Sequence, residues 1–311
     1  MGGSATRQFL MNGILVVDKP AGPTSHDVVS RVRKILQQRS VGHLGTLDPQ
    51  ATGVLPLVVG NFTRLAQFYL SSEKTYEGVI RFGFSTDTYD AEGEATSPAQ
   101  VIALSPEQVQ ELAARFTGMI EQMPPPFSAK KIQGVPAYKL ARRQAEVPLK
   151  PVQVEIKELE ILGIEGDRVQ FRSRVSAGTY IRSVAHDMGQ RVGCGAHLES
   201  LRRTASGEFG LEDARTFEEI EAAAKAASIE ELFVHPRKFL PGLPGVTANE
   251  ETAAYIRNGR AVNLPEFSSA PMVKVFCGQR ELIAIASRVA GTLFRPKIVL
   301  VNEAAVKLSS G

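Results

Sequence analysis

Residues 235–246 place three prolines and two glycines in twelve positions, and no helix or strand can run through such a stretch. The break divides a chain of 311 residues into a long first part and a tail of about 65, which fits two domains of unequal size. Ahead of the break, residues 13–19 form an apolar run of core-strand length. Pro20-Ala-Gly-Pro23 reads as a turn. Thr24 then caps a helix, with Asp27 at the capping-box position and Val28, Val32, Ile35 and Leu36 on one face. Residues 41–53 read as a loop, 54–59 as a second strand, 62–70 as a helix, and 74–84 as a strand with Tyr76, Gly78, Ile80, Phe82 and Phe84 sharing a face. Ser105-Pro-Glu-Gln108 opens a helix running to about Thr117, with Gln108 completing a capping box. An extended surface loop is expected over 123–137, paired strands over 152–164 and 168–176 around a Glu165-Gly166-Asp167 turn, a helix over 180–192, a strand or turn over 196–203, and a surface helix over 217–227. The tail shows one helix, 249–258, and short β-rich runs at 272–276 and 281–286, the pattern of a small barrel-like module.

Hydrophobic residues at 43% and charged residues at 22% exclude wholesale disorder. Cys194 and Cys277 are too far apart for a CxxC pair, so neither a disulfide scaffold nor a four-cysteine metal site is expected. No run of 18 apolar residues exists and residues 1–12 lack an apolar export core, so no membrane association and a cytoplasmic location are expected. Net charge is only +3, but its distribution is uneven. Six cations face one anion over 128–150, a second basic cluster holds Arg31, Arg33, Lys34 and Arg39, and residues 212–231 carry seven carboxylates against two cations. Segregation of this kind suits a polyanion docking on one face, or else a set of solvated helix surfaces.

The segment Gly42-His-Leu-Gly-Thr-Leu-Asp48-Pro-Gln-Ala-Thr-Gly53 carries the most chemistry. Its glycines permit positive φ or close approach of a ligand, and Pro49 biases Asp48 toward an extended backbone. A carboxylate on a constrained loop is a candidate nucleophile or base, where the plain alternative is an Asp-Pro turn. To stay ionised in a desolvated pocket it needs a cation, and Arg182, at a helix start, could form a bidentate pair with it. Tyr76 is either core packing or a stacking platform for a nucleobase; Tyr180 and His43 are the other candidates for such contacts. No Walker A, GxGxxG, HExxH or GxSxG pattern occurs, so no cofactor or metal is expected.

Taken together these residues resemble the TruB-type pseudouridine synthases, the bacterial tRNA pseudouridine-55 synthases. The likeness rests on the loop above and on Gly13-Ile-Leu-Val-Val-Asp-Lys-Pro20, Lys74-Thr-Tyr76 and Thr86-Asp-Thr-Tyr-Asp-Ala-Glu-Gly93. Further along it includes Pro125-Pro-Phe-Ser-Ala-Lys-Lys131, Gly178-Thr-Tyr-Ile-Arg182 and Gly195-Ala-His-Leu-Glu-Ser-Leu201-Arg-Arg-Thr204. The resemblance implies an α+β fold with a mostly antiparallel central sheet flanked by helices. It divides the chain into a tail (1–12), a catalytic domain (13–234) with an RNA-gripping insertion at about 123–150, a linker (235–246) and a PUA-like RNA-binding module (247–311). It further implies an isomerase that flips uridine 55 out of the tRNA T loop and rejoins the base through carbon, without cofactor or metal, as a monomer. Asp48 takes the essential aspartate's place and Arg182 its arginine partner's. Tyr76 matches the base-stacking tyrosine, Leu201 an apolar pocket wall, Tyr180 a base contact, and His43 the histidine beside the flipped base. Lys19, Lys130, Lys131, Arg142 and Arg143 are expected to hold RNA phosphates. Tyr89 departs from the family pattern, where a smaller residue is common. Two other readings stay in view: a guide-RNA-dependent synthase, and a tRNA-binding chaperone that needs no chemistry.

Overall fold

The computed structural model describes residues 11–125, 127 and 150–300, together with the backbone of 131–132 and 135–136. Strands β1 (Gly13–Lys19), β2 (Val41–His43), β3 (Thr52–Val59), β4 (Lys74–Phe82) and β5 (Gly118–Gln122) come first. Lys131–Ile132 (β6) and Val135–Pro136 (β7) then pair as a short ribbon. After them come β8 (Val152–Glu165), β9 (Arg168–Val175), β10 (Ala196–Ser206), β11 (Phe209–Gly210) and β12 (Ala214–Arg215). The central sheet runs β12-β1-β3-β10-β4-β9-β8-β5, with β2 added beside β3 and β11 beside β10. Only β1–β12 and β3–β10 pair in parallel, so the sheet is mostly antiparallel. Helices α1 (Ser25–Ile35), α2 (Pro106–Arg115), α3 (Ile181–Val192) and α4 (Phe217–Lys225) flank it, giving the expected α+β architecture.

The alternation of side chains along a strand explains how the two faces are covered. Leu15, Val17, Leu55 and Leu57 point into one cluster with Val28 and Val32 of α1, Val109 of α2, Val184 and Met188 of α3, and Ile220 of α4. Ile14, Val16, Val54 and Val58 point the other way, into a cluster with Phe239, Phe276, Leu282, Ile285 and Ile298. Being buried on both faces, β1 and β3 need unbroken apolar sequence, which is what they carry. β4 and β9 alternate instead. Tyr76, Ile80, Val169 and Phe171 face the helices, while Arg172 reaches Glu77 and Glu160, and Arg174 reaches Glu73 and Glu158, across the open face. That half of the outer surface is thus laced by paired charges.

The rest of the outer face is covered by a second sheet, β13 (Gly245–Ala248), β15 (Met272–Cys277), β16 (Glu281–Ala290), β17 (Leu293–Val299) and β14 (Val262–Asn263) in that order. Helix α5 (Glu250–Arg257) packs Ala253 and Ile256 against its own small core. The proline-rich stretch joining the two sheets is itself packed: Phe239 is fully buried, and Lys274 Nζ donates to its carbonyl at 2.6 Å.

Local signals placed most elements. Thr24 and Ser105 both close the capping boxes read from the sequence. Residues 41–53 differ from a simple loop, because backbone groups of Val41, Gly42 and His43 pair with the far end of β3 rather than with solvent. The helix expected at 62–70 is a 3₁₀ segment, Gly60–Tyr69.

Gly53 ties the loop to the sheet. Its φ is +98°, and a Cβ there would stand 2.2 Å from the carbonyl oxygen of Arg203, its parallel partner on β10. Strain plus overlap leads us to expect that Gly53→Ala costs about 3 kcal/mol. A thermal unfolding midpoint lowered by roughly 5–10 °C would bear this out, and an unchanged midpoint would contradict it.

Candidate active site

Residues 44–51, between β2 and β3, carry Asp48 and are held from several directions. Lys19, the last residue of β1, is fully buried, and its Nζ donates to the carbonyls of Pro20, Pro49 and Ala51 at 2.9, 2.7 and 2.7 Å. Ser25 Oγ accepts from Leu47 N at 2.8 Å. Arg203, also fully buried, donates to the carbonyls of Val54, Gly45 and Thr46. Lys19 therefore corrects the expectation that it holds RNA phosphates: its donors are spent inward on backbone carbonyls, two of them in the loop. Burial pushes its pKa down to about 8, with Asp48 pulling the other way.

Opposite the loop stands the start of α3. Tyr180 occupies its N-cap, fixed by Gln122, whose side chain accepts from Tyr180 N at 2.9 Å and donates to Tyr180 O at 3.0 Å. Arg182, in the first turn, is 5% exposed. Its Nη2 donates to Asp48 Oδ1 at 3.1 Å, and its Nε lies 2.8 Å from Asp48 Oδ2. The same guanidinium donates to Asp90 Oδ2, to Thr88 O and to Phe127 O, at 3.1, 3.1 and 3.0 Å. One buried cation thus serves two carboxylates and two carbonyls, and the positive end of the helix adds to its field. The sequence-predicted pair of Asp48 and Arg182 does meet. Asp90 was missed as its third member, although it sits in the quoted Thr86–Gly93 motif.

Asp48 keeps 40% of its side-chain surface open, enough for a ligand atom to reach it. Burial of the carboxyl at the foot of the cleft pushes its pKa above the ordinary value. Arg182 opposes that rise, Asp90 adds to it, and Lys19 opposes it again. The group also lies where two cavities meet. The first, about 550 Å³, is lined by Tyr76, Tyr180, Leu201, His43 and Lys74 beside Asp48. The second, about 710 Å³, is lined by Asp48, Arg182, Asp90, His26, His43 and Thr24. Tyr76 reaches the first from β4 and Leu201 from β10. Burial, with Arg203 and His26 nearby, lowers the pKa of His43 and keeps its ring neutral.

Every described residue expected at the reacting centre, Asp48, Tyr76, Arg182, His43, Tyr180 and Leu201, thus borders one or both cavities. Lys130, Arg142 and Arg143, and the side chain of Lys131, lie outside the described residues, as do seven of the fifteen residues of the loop expected over 123–137. Among the described residues no cluster of three or more His, Cys, Asp or Glu side chains could hold a metal ion. No helix is long and apolar enough to cross a membrane among the described residues.

Comparison with known proteins gives a consistent family. The family described as TruB family pseudouridylate synthase (N terminal domain) matches residues 33–181, and tRNA pseudouridylate synthase B C-terminal domain matches 182–237. The chain is 49% identical over 293 residues, 93% of its length, to the whole of tRNA pseudouridine synthase B of Solibacter usitatus (strain Ellin6076). Over 308 residues, 96% of its length, it is 41% identical to the whole of tRNA pseudouridine synthase B of Bacillus anthracis. Among solved structures it is similar to a chain in the crystal structure of a Cbf5-Nop10-Gar1 complex, with TM-score 0.69, 27% identity, and coverage of 96% of this chain and 86% of that one. It is also similar to one in an H/ACA RNP bound to a substrate RNA containing 2'-deoxyuridine, with TM-score 0.68, 27% identity, and coverage of 96% and 87%.

The shared guanidinium can be tested through the Asp48 carboxyl titration, read by carbon NMR. Asp90→Asn removes a like charge and should move the midpoint down, whereas Arg182→Met removes the opposing cation and should move it up. A midpoint that ignores both substitutions would contradict the electrostatics described.

Proposed function

We propose that this chain, which belongs to the TruB family of pseudouridylate synthases, isomerises uridine to pseudouridine in tRNA, at position 55 of the T loop. The observation that carries this reading is the Asp48 carboxylate, paired with a buried arginine and standing where two cavities meet. A uracil in the first cavity, with its ribose toward the second, would present the glycosidic bond to that carboxylate.

The reaction breaks the bond between N1 and the ribose C1′, turns the base and joins C5 to C1′. The C5 proton leaves to solvent and N1 gains one, so the net change is an isomerisation. The target base must first leave its stack, which costs a few kcal/mol. Tyr76 and Leu201 offset that cost by covering the base, since stacking on an aromatic ring contributes roughly 1–3 kcal/mol. Arg182 supports the ionised form of Asp48 against the raising effect of burial and aims its oxygens at the junction. The ionised carboxylate then attacks the sugar or base, or takes a sugar proton.

In the same reading residues 13–234 form the catalytic domain, with an insertion at about 123–150 whose cations hold tRNA phosphates. Residues 247–311 form a PUA-like RNA-binding module after the 235–246 segment, and the protein works as a cytoplasmic monomer. A guide-RNA-dependent enzyme is less favoured, because relatives named tRNA pseudouridine synthase B are 41–49% identical, against 27% for the chain in the H/ACA particle. The long basic insertion also suits an enzyme that grips its own substrate.

Tritium release from a T-arm transcript labelled at uridine C5 tests the reading without any partner. The unaltered protein should release label, and Asp48→Asn should be slower by at least about a thousandfold while binding the transcript within about twofold. No release by the unaltered protein, or equal release by Asp48→Asn, would overturn it.

A further inference from the structure

We propose that the stacked pair Tyr89–His186 is a positioning device that holds Asp90, and through it the Arg182–Asp48 pair, in the arrangement the isomerisation needs. The inference rests on the function proposed above and assigns a role to two residues outside the reacting centre.

Tyr89 lies between two groups that Arg182 grips, the Thr88 carbonyl and the Asp90 carboxylate. Its φ is +66°, in the left-handed region that residues with a Cβ rarely adopt. A tight turn surrounds it: Thr86 Oγ1 donates to Asp90 O at 2.7 Å, and Thr88 Oγ1 donates to Asp90 Oδ1 at 2.6 Å. On one side, Leu198 N of β10 donates to Tyr89 O at 3.0 Å. On the other, the phenol ring lies flat on the His186 imidazole, with centroids 3.8 Å apart and planes 15° from parallel.

His186 follows Arg182 by one turn of α3, so both project from one side of the helix. The helix therefore holds this turn at two adjacent points, by charge at Thr88 and Asp90 and by ring stacking at the residue between them. Among the described residues His186 Nδ1 has no hydrogen-bond partner, and the contact with Tyr89 is made through the flat face of the ring. Tyr89 lines neither of the two cavities that meet at Asp48. Its influence passes through Asp90. If the turn relaxes from its left-handed form, the Asp90 carboxylate moves off Nη1, and the guanidinium loses the contact that fixes its tilt against Asp48.

Single-turnover rate and tRNA affinity, measured on the unaltered protein, Tyr89→Asn, Tyr89→Phe and His186→Leu, test this directly. Asparagine tolerates positive φ, so Tyr89→Asn removes the ring without adding strain. We expect it to lower the rate roughly tenfold while affinity stays within about twofold, since small misplacements at a reacting centre act on turnover. Tyr89→Phe, which keeps the stack, should recover most of the rate. His186→Leu should repeat the loss, and combining it with Tyr89→Asn should add little. An undiminished rate for Tyr89→Asn, an equal loss for Tyr89→Phe, or an affinity loss matching the rate loss would overturn the proposal. Should Tyr89→Asn fail to fold, His186→Leu against Tyr89→Phe decides by the same criteria. No turnover by the unaltered protein would overturn the proposed function as well, whereas normal turnover with insensitive variants would overturn this inference alone.

Discussion

The Arg182 guanidinium is the contact on which the cleft depends. Burying a cation away from water is costly unless it is paired, and Arg182 meets that demand with two carboxylates and two carbonyl oxygens. The partners come from three separate stretches: the loop after β2, the turn after β4, and residue 127. None is adjacent in sequence to α3. One charge at the start of a helix therefore brings three segments together, and removing it would leave two like charges facing each other.

A second pair of buried cations does different work. Lys19 and Arg203 satisfy the carbonyls of the Asp48 loop, so a segment rich in glycine is rigid where it must present a side chain. The central sheet supplies the frame. β1 and β3 are clamped between the helical layer and the second sheet, which fixes Lys19 at the end of one and Gly53 near the start of the other. Rigidity of the backbone and openness of the carboxylate are thus met by different residues, as catalytic preorganisation requires.

Features that depend on neighbours in sequence were legible before any fold was known. The Thr24–Asp27 and Ser105–Gln108 capping boxes and the Glu165-Gly166-Asp167 turn each need only a few adjacent residues. Asp48 and Arg182 could be named singly, but their meeting depends on sheet order that no local pattern encodes. Lys19 shows the opposite failure, because its charge suggested a phosphate contact while its place at the end of a doubly buried strand turned the amine inward. Asp90 was hidden for a similar reason: a carboxylate in a polar turn looks like any other until a helix from elsewhere in the chain packs on it. The Tyr89–His186 stack could not be foreseen from either residue.

Mapping pseudouridine in an unmodified tRNA transcript under single-turnover conditions, with the unaltered protein beside Arg182→Lys, tests the central claim most directly. One modified uridine, in the T loop, is expected. Lysine keeps the charge but loses the fork that spans both carboxylates, so the same product should form on the order of a hundredfold more slowly. Product scattered over other positions, or a lysine variant as fast as the unaltered protein, would contradict it.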